Sequence, residues 1–257
     1  MTTMQLNATR IPRIFKSKAP RRRMFPRRCP EGTVLIPRTT KEDLIREKMY
    51  KQIQPQHSIY PQASDGAFHY AGRVIQSAGG RMIYGAGAIM TVFQLSSGVS
   101  NSQMSSAQLV FVKGKNILQV GWHVDYSREG DNRVRFFTYW TDEENGNWEL
   151  YTDDEDIGYW PKEIFDNMGD ASEVHMDGVV YSPFNEPSPP MGSGELHGGE
   201  MRDLLLMDGK GERYDFDGGQ IRILNDLGIK YYGDYFACES GGSCTLRYGG
   251  PGGWKKT

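Results

Sequence analysis

The chain has 257 residues, of which 38% are apolar and 31 are glycine, and its formal net charge is −2. This length is enough for one sizeable core, or for one domain with an appendage. The sequence contains no run of about 18 apolar residues, which excludes a membrane-spanning helix, and its first residues show no secretory signal peptide.

The near-neutral total charge hides an asymmetry along the chain. Residues 1–56 carry 14 Lys and Arg against 4 Asp and Glu, whereas residues 57–257 carry 16 against 28. We interpret the first segment as a basic arm and the second as an acidic domain that attracts it. The arm has few aromatic residues and no nucleic-acid reader motif, so we predict neither a nucleic-acid partner nor a membrane partner.

The apolar periodicity changes along the chain. Residues 1–37 are basic and rich in proline, which predicts little order, and residues 38–50 predict one short helix with Thr39 and Glu42 as a capping box. After about residue 67 the period of 2 typical of strands dominates. Strands are predicted at 68–75, 82–94, 107–113, 117–124, 133–141, 174–182, 202–207, 220–224, 231–237 and 245–248, and a helix at 159–168. Many short strands joined by Gly-rich turns favour an all-β antiparallel sandwich or barrel.

Strict alternation marks the strand at 117–124. One face is apolar and is predicted to lie in the core: Leu118, Val120, Trp122 and Val124. The opposite face carries Gln119, Gly121 and His123. This pattern raises the question of whether Gln119 is an ordinary polar residue or stands where a catalytic group belongs.

The residues that could carry chemistry give weaker signals. Cys238 and Cys244 flank a loop-like stretch and either form a small disulfide ring, which we favour slightly, or remain free thiols. No Cys or His spacing is typical of a zinc site, and no nucleotide-binding loop is present, so neither a metal nor a cofactor is predicted. Two of the domain's many carboxylates could hydrolyse a bond together, but composition does not single out a pair.

Five motifs occur in order along the domain: QVGWHVDYSREGDNRVRFFTYWT, NWELY, GYWPKEIFDNM, MGSG and YGGPGG. Together they resemble the neprosin family of plant proteins, and the upstream CPEGTVLIPRTTKEDL resembles that family's activation peptide. The resemblance covers residues 29 to about 252. It implies an antiparallel β-sandwich, a secreted precursor with an inhibitory N-terminal segment, and a glutamic peptidase that cuts after proline at acid pH.

The resemblance also indicates where the catalytic groups belong. Active members use two glutamates, and the corresponding positions here are Gln119 and Val179, so both carboxylates are replaced. Glutamine keeps the size of glutamate but cannot exchange a proton. Asp177 is a possible substitute, about 6.8 Å from Val179 along the same strand. The other predicted groove residues are His123, His175 and Tyr181.

A long stretch of the family pattern is missing between the YWT and NWELY motifs, where only residues 142–146 remain. We therefore expect a sandwich reduced in strand number, preceded by a short helical or disordered arm. Three explanations stay open. The remaining strands close up, a partner covers the gap, or the gene model is defective.

These observations predict a neprosin-domain protein with impaired catalysis, whose partners are a peptide or protein, proline-rich in the simplest case, and its own N-terminal arm. Acidification would protonate carboxylates and weaken the attraction between the arm and the domain. Two alternatives stay open: an active acid peptidase with a rearranged carboxylate dyad, and a carbohydrate- or cell-wall-binding sandwich. The second would use exposed aromatics, although core packing is the stronger expectation for them: Tyr139, Trp140, Tyr159 and Trp160. The resemblance implies an extracellular location.

Overall fold

The computed structural model describes residues 2–7, 41–42, 44–45, 65–77, 81–95, 98–140, 148–152, 155–160, 168–216, 221–225, 230–239 and 243–255. Within these ranges the fold is all-β, as predicted. The strands are β1 (Thr2–Asn7), β2 (Gly66–Gln76), β3 (Gly85–Met90), β4 (Met104–Lys113), β5 (Asn116–Asp125), β6 (Arg135–Trp140), β7 (Trp148–Thr152), β8 (Glu155–Trp160), β9 (Glu173–Pro183), β10 (Gly199–Met207), β11 (Arg213–Tyr214), β12 (Ile221–Asn225), β13 (Tyr232–Cys238) and β14 (Cys244–Gly249). One short helix, α1 (Tyr126–Glu129), follows β5.

The strands form two antiparallel sheets. Sheet A has the order β13-β14-β10-β3-β1-β7-β8, with β11 paired to β10, and sheet B has the order β12-β2-β9-β4-β5-β6. β4 and β5 form the hairpin predicted at residues 113–116, where Gly114 takes the left-handed backbone conformation that the tight turn requires. Asp125 is the N-cap of helix α1, and its side chain accepts a hydrogen bond from the Arg128 amide.

The hydrophobic core lies between the two sheets. The apolar face predicted for β5 is confirmed, because Leu118, Val120, Trp122 and Val124 are all buried in this core. Sheet A contributes Trp148 from β7, which is fully buried, and the rings of Trp148 and Phe111 are 5.0 Å apart. The Trp148 indole N–H donates to the Met168 carbonyl at 2.6 Å. Trp148 thus fixes β7 against sheet B by packing and by one buried hydrogen bond.

Most strands lie where the alternation predicted them, but the structure differs from the prediction at residues 2–7 and 159–160. Thr2–Asn7 form a strand although residues 1–37 were expected to have little order, so that expectation is wrong for these six residues. Lys41, Glu42, Leu44 and Ile45 are helical, as predicted for that segment. The helix predicted at 159–168 is wrong at its start, because Tyr159 and Trp160 belong to β8, and residues 161–167 lie outside the described residues.

The predicted disulfide has a structural outcome. Cys238 and Cys244 form a disulfide that links the facing ends of β13 and β14. In the part of the chain that the structure describes, no helix is both long and apolar enough to cross a membrane.

The Trp148 contact can be tested by substitution. We expect Trp148→Phe to lower the free energy of unfolding by about 1–3 kcal/mol, because the buried Met168 carbonyl loses its donor. Urea unfolding measures the change. Tyr235→Phe on β13, where the side chain is 44% exposed, is the matched control and should stay within about 0.5 kcal/mol. Equal losses in the two variants would contradict the anchoring role of Trp148.

Candidate functional site

The predicted site residues lie on the outer face of sheet B, opposite the core. Residues that pair across β5, β4 and β9 form rows on this face. The first row is Gln119, Val110 and His175; the second is Gly121, Gln108 and Asp177; the third is His123, Ser106 and Val179. Tyr181 lies in the next row, opposite Met104. The predictions that His175, Asp177, Val179 and Tyr181 share a face, and that Gln119 and His123 share one, are therefore confirmed.

The two positions predicted to correspond to the family glutamates do not lie side by side. Gln119 is on β5 in the first row and Val179 is on β9 in the third, with β4 between them. The residue midway between them is Gln108, which is a diagonal neighbour of both at about 7–8 Å between Cα atoms. Sequence reasoning missed Gln108, because nothing within a single strand marks its position between two others.

Asp177 is next to Gln108 and is buried, with 1% of its surface exposed. Burial raises the pKa of the Asp177 carboxyl to about 8, although a hydrogen bond from the Gln108 amide opposes this effect. Its second oxygen, Oδ1, has no hydrogen-bond partner among the described residues. At acid pH the site therefore holds one neutral carboxyl group beside an amide. Asp177 is also the one carboxylic acid that the structure places in the three central rows.

Glycines flank this pair on both sides. Gly72 on β2 pairs with Asp177, and Gly121 on β5 pairs with Gln108. A Cβ atom at Gly72 would lie 2.1 Å from the Met176 carbonyl oxygen, and one at Gly121 would lie 2.1 Å from the Ala107 carbonyl oxygen. The strands approach too closely for any side chain at these two positions. The second row is consequently a shallow trough whose only side chains on β2, β9, β4 and β5 are those of Gln108 and Asp177.

His123 closes one side of the face. Its ring stacks on Phe137 with centroids 4.9 Å apart, and its Nε2 lies 3.1 Å from Glu129 Oε1. Burial opposes ionisation of Glu129, but His123 and Arg135 together lower the pKa of this carboxyl. Arg135 Nε also lies 3.2 Å from Glu129 Oε2. Glu129 is thus an ionised carboxylate held at the rim.

His175 lies at the opposite corner of the face, on β9, and is also paired with a glutamate. Its Nε2 lies 3.1 Å from Glu173 Oε2, and Gln76 donates to Glu173 Oε1 at 2.7 Å. Burial lowers the pKa of the His175 ring, while Glu173 raises it. Burial also opposes ionisation of Glu173, but Gln76 and His175 lower the pKa of its carboxyl. Both histidines of the face are therefore paired with a carboxylate at the rim.

The face is closed to solvent over most of its area. Val110, His175, Asp177 and Val179 are at most 3% exposed, whereas Gln119 is partly exposed. At one end the Tyr181 hydroxyl donates to Asp65 at 3.1 Å. At the other end Val110, Val112 and Ile117 form a separate apolar cluster. The central rows are therefore closed to a peptide in this structure.

Two other predictions concern aromatic and metal-binding residues. Trp160 is 7% exposed and belongs to the core, so it is not the exposed sugar-binding aromatic of the carbohydrate hypothesis. The side chains of Tyr139, Trp140 and Tyr159 lie outside the described residues. Across the described ranges, no group of three or more His, Cys, Asp and Glu side chains is arranged to hold a metal ion.

The buried Asp177 carboxyl predicts a pH dependence of stability. Its pKa is higher in the folded chain than in the unfolded chain, so the folded state binds the proton more tightly. The stability that this bound proton contributes is fully present below about pH 4 and is lost as the pH rises through about 8. We expect Asp177→Asn to remove this fall, which should exceed about 1.4 kcal/mol, the value of one pKa unit.

Urea unfolding between pH 4 and pH 9 measures the effect as the difference between the two proteins. The control is Asp208→Asn, in a turn where the carboxylate accepts from the amides of Lys210 and Glu212. This control should keep the fall. Parallel pH profiles for the wild type and Asp177→Asn would show that Asp177 is not protonated in the folded chain.

Comparison with protein families bears directly on this face. A family model described as Neprosin matches residues 101–144 and 140–251, which include β4, β5 and β9 and therefore all three central rows. The two matched segments overlap at residues 140–144, at the end of β6 and before β7. Together they span more than half of the chain, and the protein belongs to the Neprosin family.

Proposed function

We propose that this protein is a Neprosin-domain member that binds an extended peptide or protein segment, proline-rich in the simplest case, without hydrolysing it. The observation that carries the proposal is the composition of the three central rows. Gln119 and Val179 stand at the positions predicted for the family glutamates, and the row between them holds Gln108 and one carboxyl group, Asp177.

Hydrolysis by two acids needs one carboxyl that holds a proton and one that is ionised and polarises water. Asp177 can supply the first, because burial keeps it neutral over the acid range. Glu129 and Glu173 have carboxyl pKa values that are lowered, but each is bonded to a histidine at the rim. The central rows therefore hold no ionised carboxylate that is free to polarise water.

Binding without hydrolysis uses groups that the face does have. Gln119 and Gln108 offer amide donors and acceptors, and Gly72 and Gly121 leave the second row without side chains on either side of Gln108 and Asp177. The apolar cluster at Val110, Val112 and Ile117 suits an uncharged side chain such as proline. Access requires opening of the closed face. We propose that acid pH favours opening, by weakening the attraction between the basic arm and the acidic domain.

A second candidate function is supported by one observation. Asp177 Oδ1 is buried without a hydrogen-bond partner among the described residues, as expected for an oxygen that awaits a ligand. An acid peptidase with a rearranged dyad would use this carboxyl as the proton donor. It would also need a base, which would have to come from a segment outside the central rows.

We also propose an extracellular location for the protein, on the basis of its disulfide. Disulfides persist in oxidising compartments, and the bond between Cys238 and Cys244 supports an extracellular or secretory route, as for the relatives it resembles. Recovery of the intact bond from the native compartment, by mass spectrometry without reduction, would test this point.

Incubation with a proline-containing peptide at pH 3–5, with mass spectrometry of the products, separates the two candidate functions. We expect the peptide to be recovered intact and the Asp177→Ala variant to behave like the wild type. Cleavage after proline that disappears in Asp177→Ala would instead establish the rearranged dyad.

Binding of the same peptide is measured by fluorescence anisotropy at pH 4. We expect Gln119→Ala to weaken binding about fivefold, the effect of one lost hydrogen bond of about 1 kcal/mol. Gln94→Ala is the matched control, because Gln94 is an exposed glutamine that bonds to the Asn132 carbonyl outside the three rows. Equal affinities of the wild type and Gln119→Ala would contradict the assigned surface.

A further inference from the structure

Strand β1 has an unusual place in sheet A. It lies between β3 and β7, pairs with β3 along its whole length from Thr2 to Asn7, and pairs with β7 from Met4 to Asn7. A long connection separates it from β2, which begins at Gly66 in the other sheet. β1 is thus an internal strand supplied by a distant piece of the basic arm.

The β7–β8 hairpin depends on this strand. By backbone pairing, β7 contacts only β1 and β8, and β8 contacts only β7, within the described residues. Without β1, sheet A would end at β3, and the hairpin would be left as two strands with an unpaired edge. A two-stranded hairpin is marginal in water, and an unpaired edge invites another strand.

We propose that the space between β3 and β7 is a strand-binding site, and that residues 2–7 occupy it as a bound segment that stays in place when the chain after them is cut. The recognition is that of strand addition, in which main-chain hydrogen bonds to both neighbours hold an extended peptide. This assigns residues 2–7 to the domain rather than to a releasable propeptide.

The proposal separates two ways in which the arm could be held. Attraction between the basic arm and the acidic domain weakens when carboxylates are protonated. Backbone pairing does not titrate between pH 4 and pH 7, and residues 1–10 carry a single charged side chain, Arg10. A fragment that contains only residues 1–10 should therefore stay bound at both pH values.

The test uses the full chain with a site-specific protease sequence inserted after Arg10. After cleavage, gel filtration and mass spectrometry show whether the N-terminal fragment elutes with the body of the protein. We expect co-elution at pH 7 and pH 4, release in denaturant, and exchange of the bound fragment for a labelled synthetic peptide of residues 1–10. Separation of the fragment from the folded body at pH 7 would overturn the proposal.

Substitutions in the uncut, unmodified chain decide the same question if the insertion disturbs the strand. Leu6 pairs with Ala86 on β3 and Leu150 on β7, and Leu6→Pro removes the backbone donor at this position. We expect hydrogen exchange of the amides in β7 and β8 to accelerate at least tenfold in Leu6→Pro, while β4 and β9 keep their protection. Leu6→Ile is the matched control and should leave exchange unchanged.

Unchanged protection of β7 and β8 in Leu6→Pro would show that the hairpin does not depend on β1 and would overturn the proposal. Neither measurement depends on hydrolysis of a peptide by this protein or on the outer face of sheet B. The strand-binding site can therefore fail while the proposed function stands, and the reverse also holds.

Discussion

The antiparallel register of β4 with β5 and β9 is the constraint on which the candidate site depends. It brings residues from three strands into rows and sets Gln108 midway between Gln119 and Val179. A shift by one residue in either pairing would send these side chains into the core and bring the apolar set to the outer face. Burial of Leu118, Val120 and Trp122 between the sheets therefore fixes the register, and the register fixes the site.

The chemistry of the face follows from what each position can do with a proton. Two glutamates at positions 119 and 179 could both reach a ligand above Gln108, since each is its diagonal neighbour. In this chain the first is an amide and the second is a valine. The remaining acid, Asp177, is buried beside an amide and holds its proton through the acid range. The central rows thus hold one neutral carboxyl group and no second acid.

Sequence reasoning succeeded where one strand carries its own pattern. The alternation of residues 117–124 predicted both faces of β5, and the same logic placed four residues of β9 on one face. It failed for Gln108, because the importance of this residue comes from neighbours on two other strands. It also failed for Thr2–Asn7, because this short stretch lies in a basic, proline-rich segment that was expected to have little order, and it becomes a strand through pairing on both sides. For the missing stretch before β7 the sequence left three explanations open, and in the structure β1 pairs directly with β7.

The protonation state of Asp177 tests the central claim most directly. Carbon-13 NMR of the labelled Asp177 carboxyl, from pH 3 to pH 9, reports it without any assumption about substrate. The account predicts a carboxyl that stays protonated through the acid range and titrates near pH 8. A carboxyl that is already ionised at pH 5 would contradict it, because the central rows would then hold an ionised acid of the kind that hydrolysis requires.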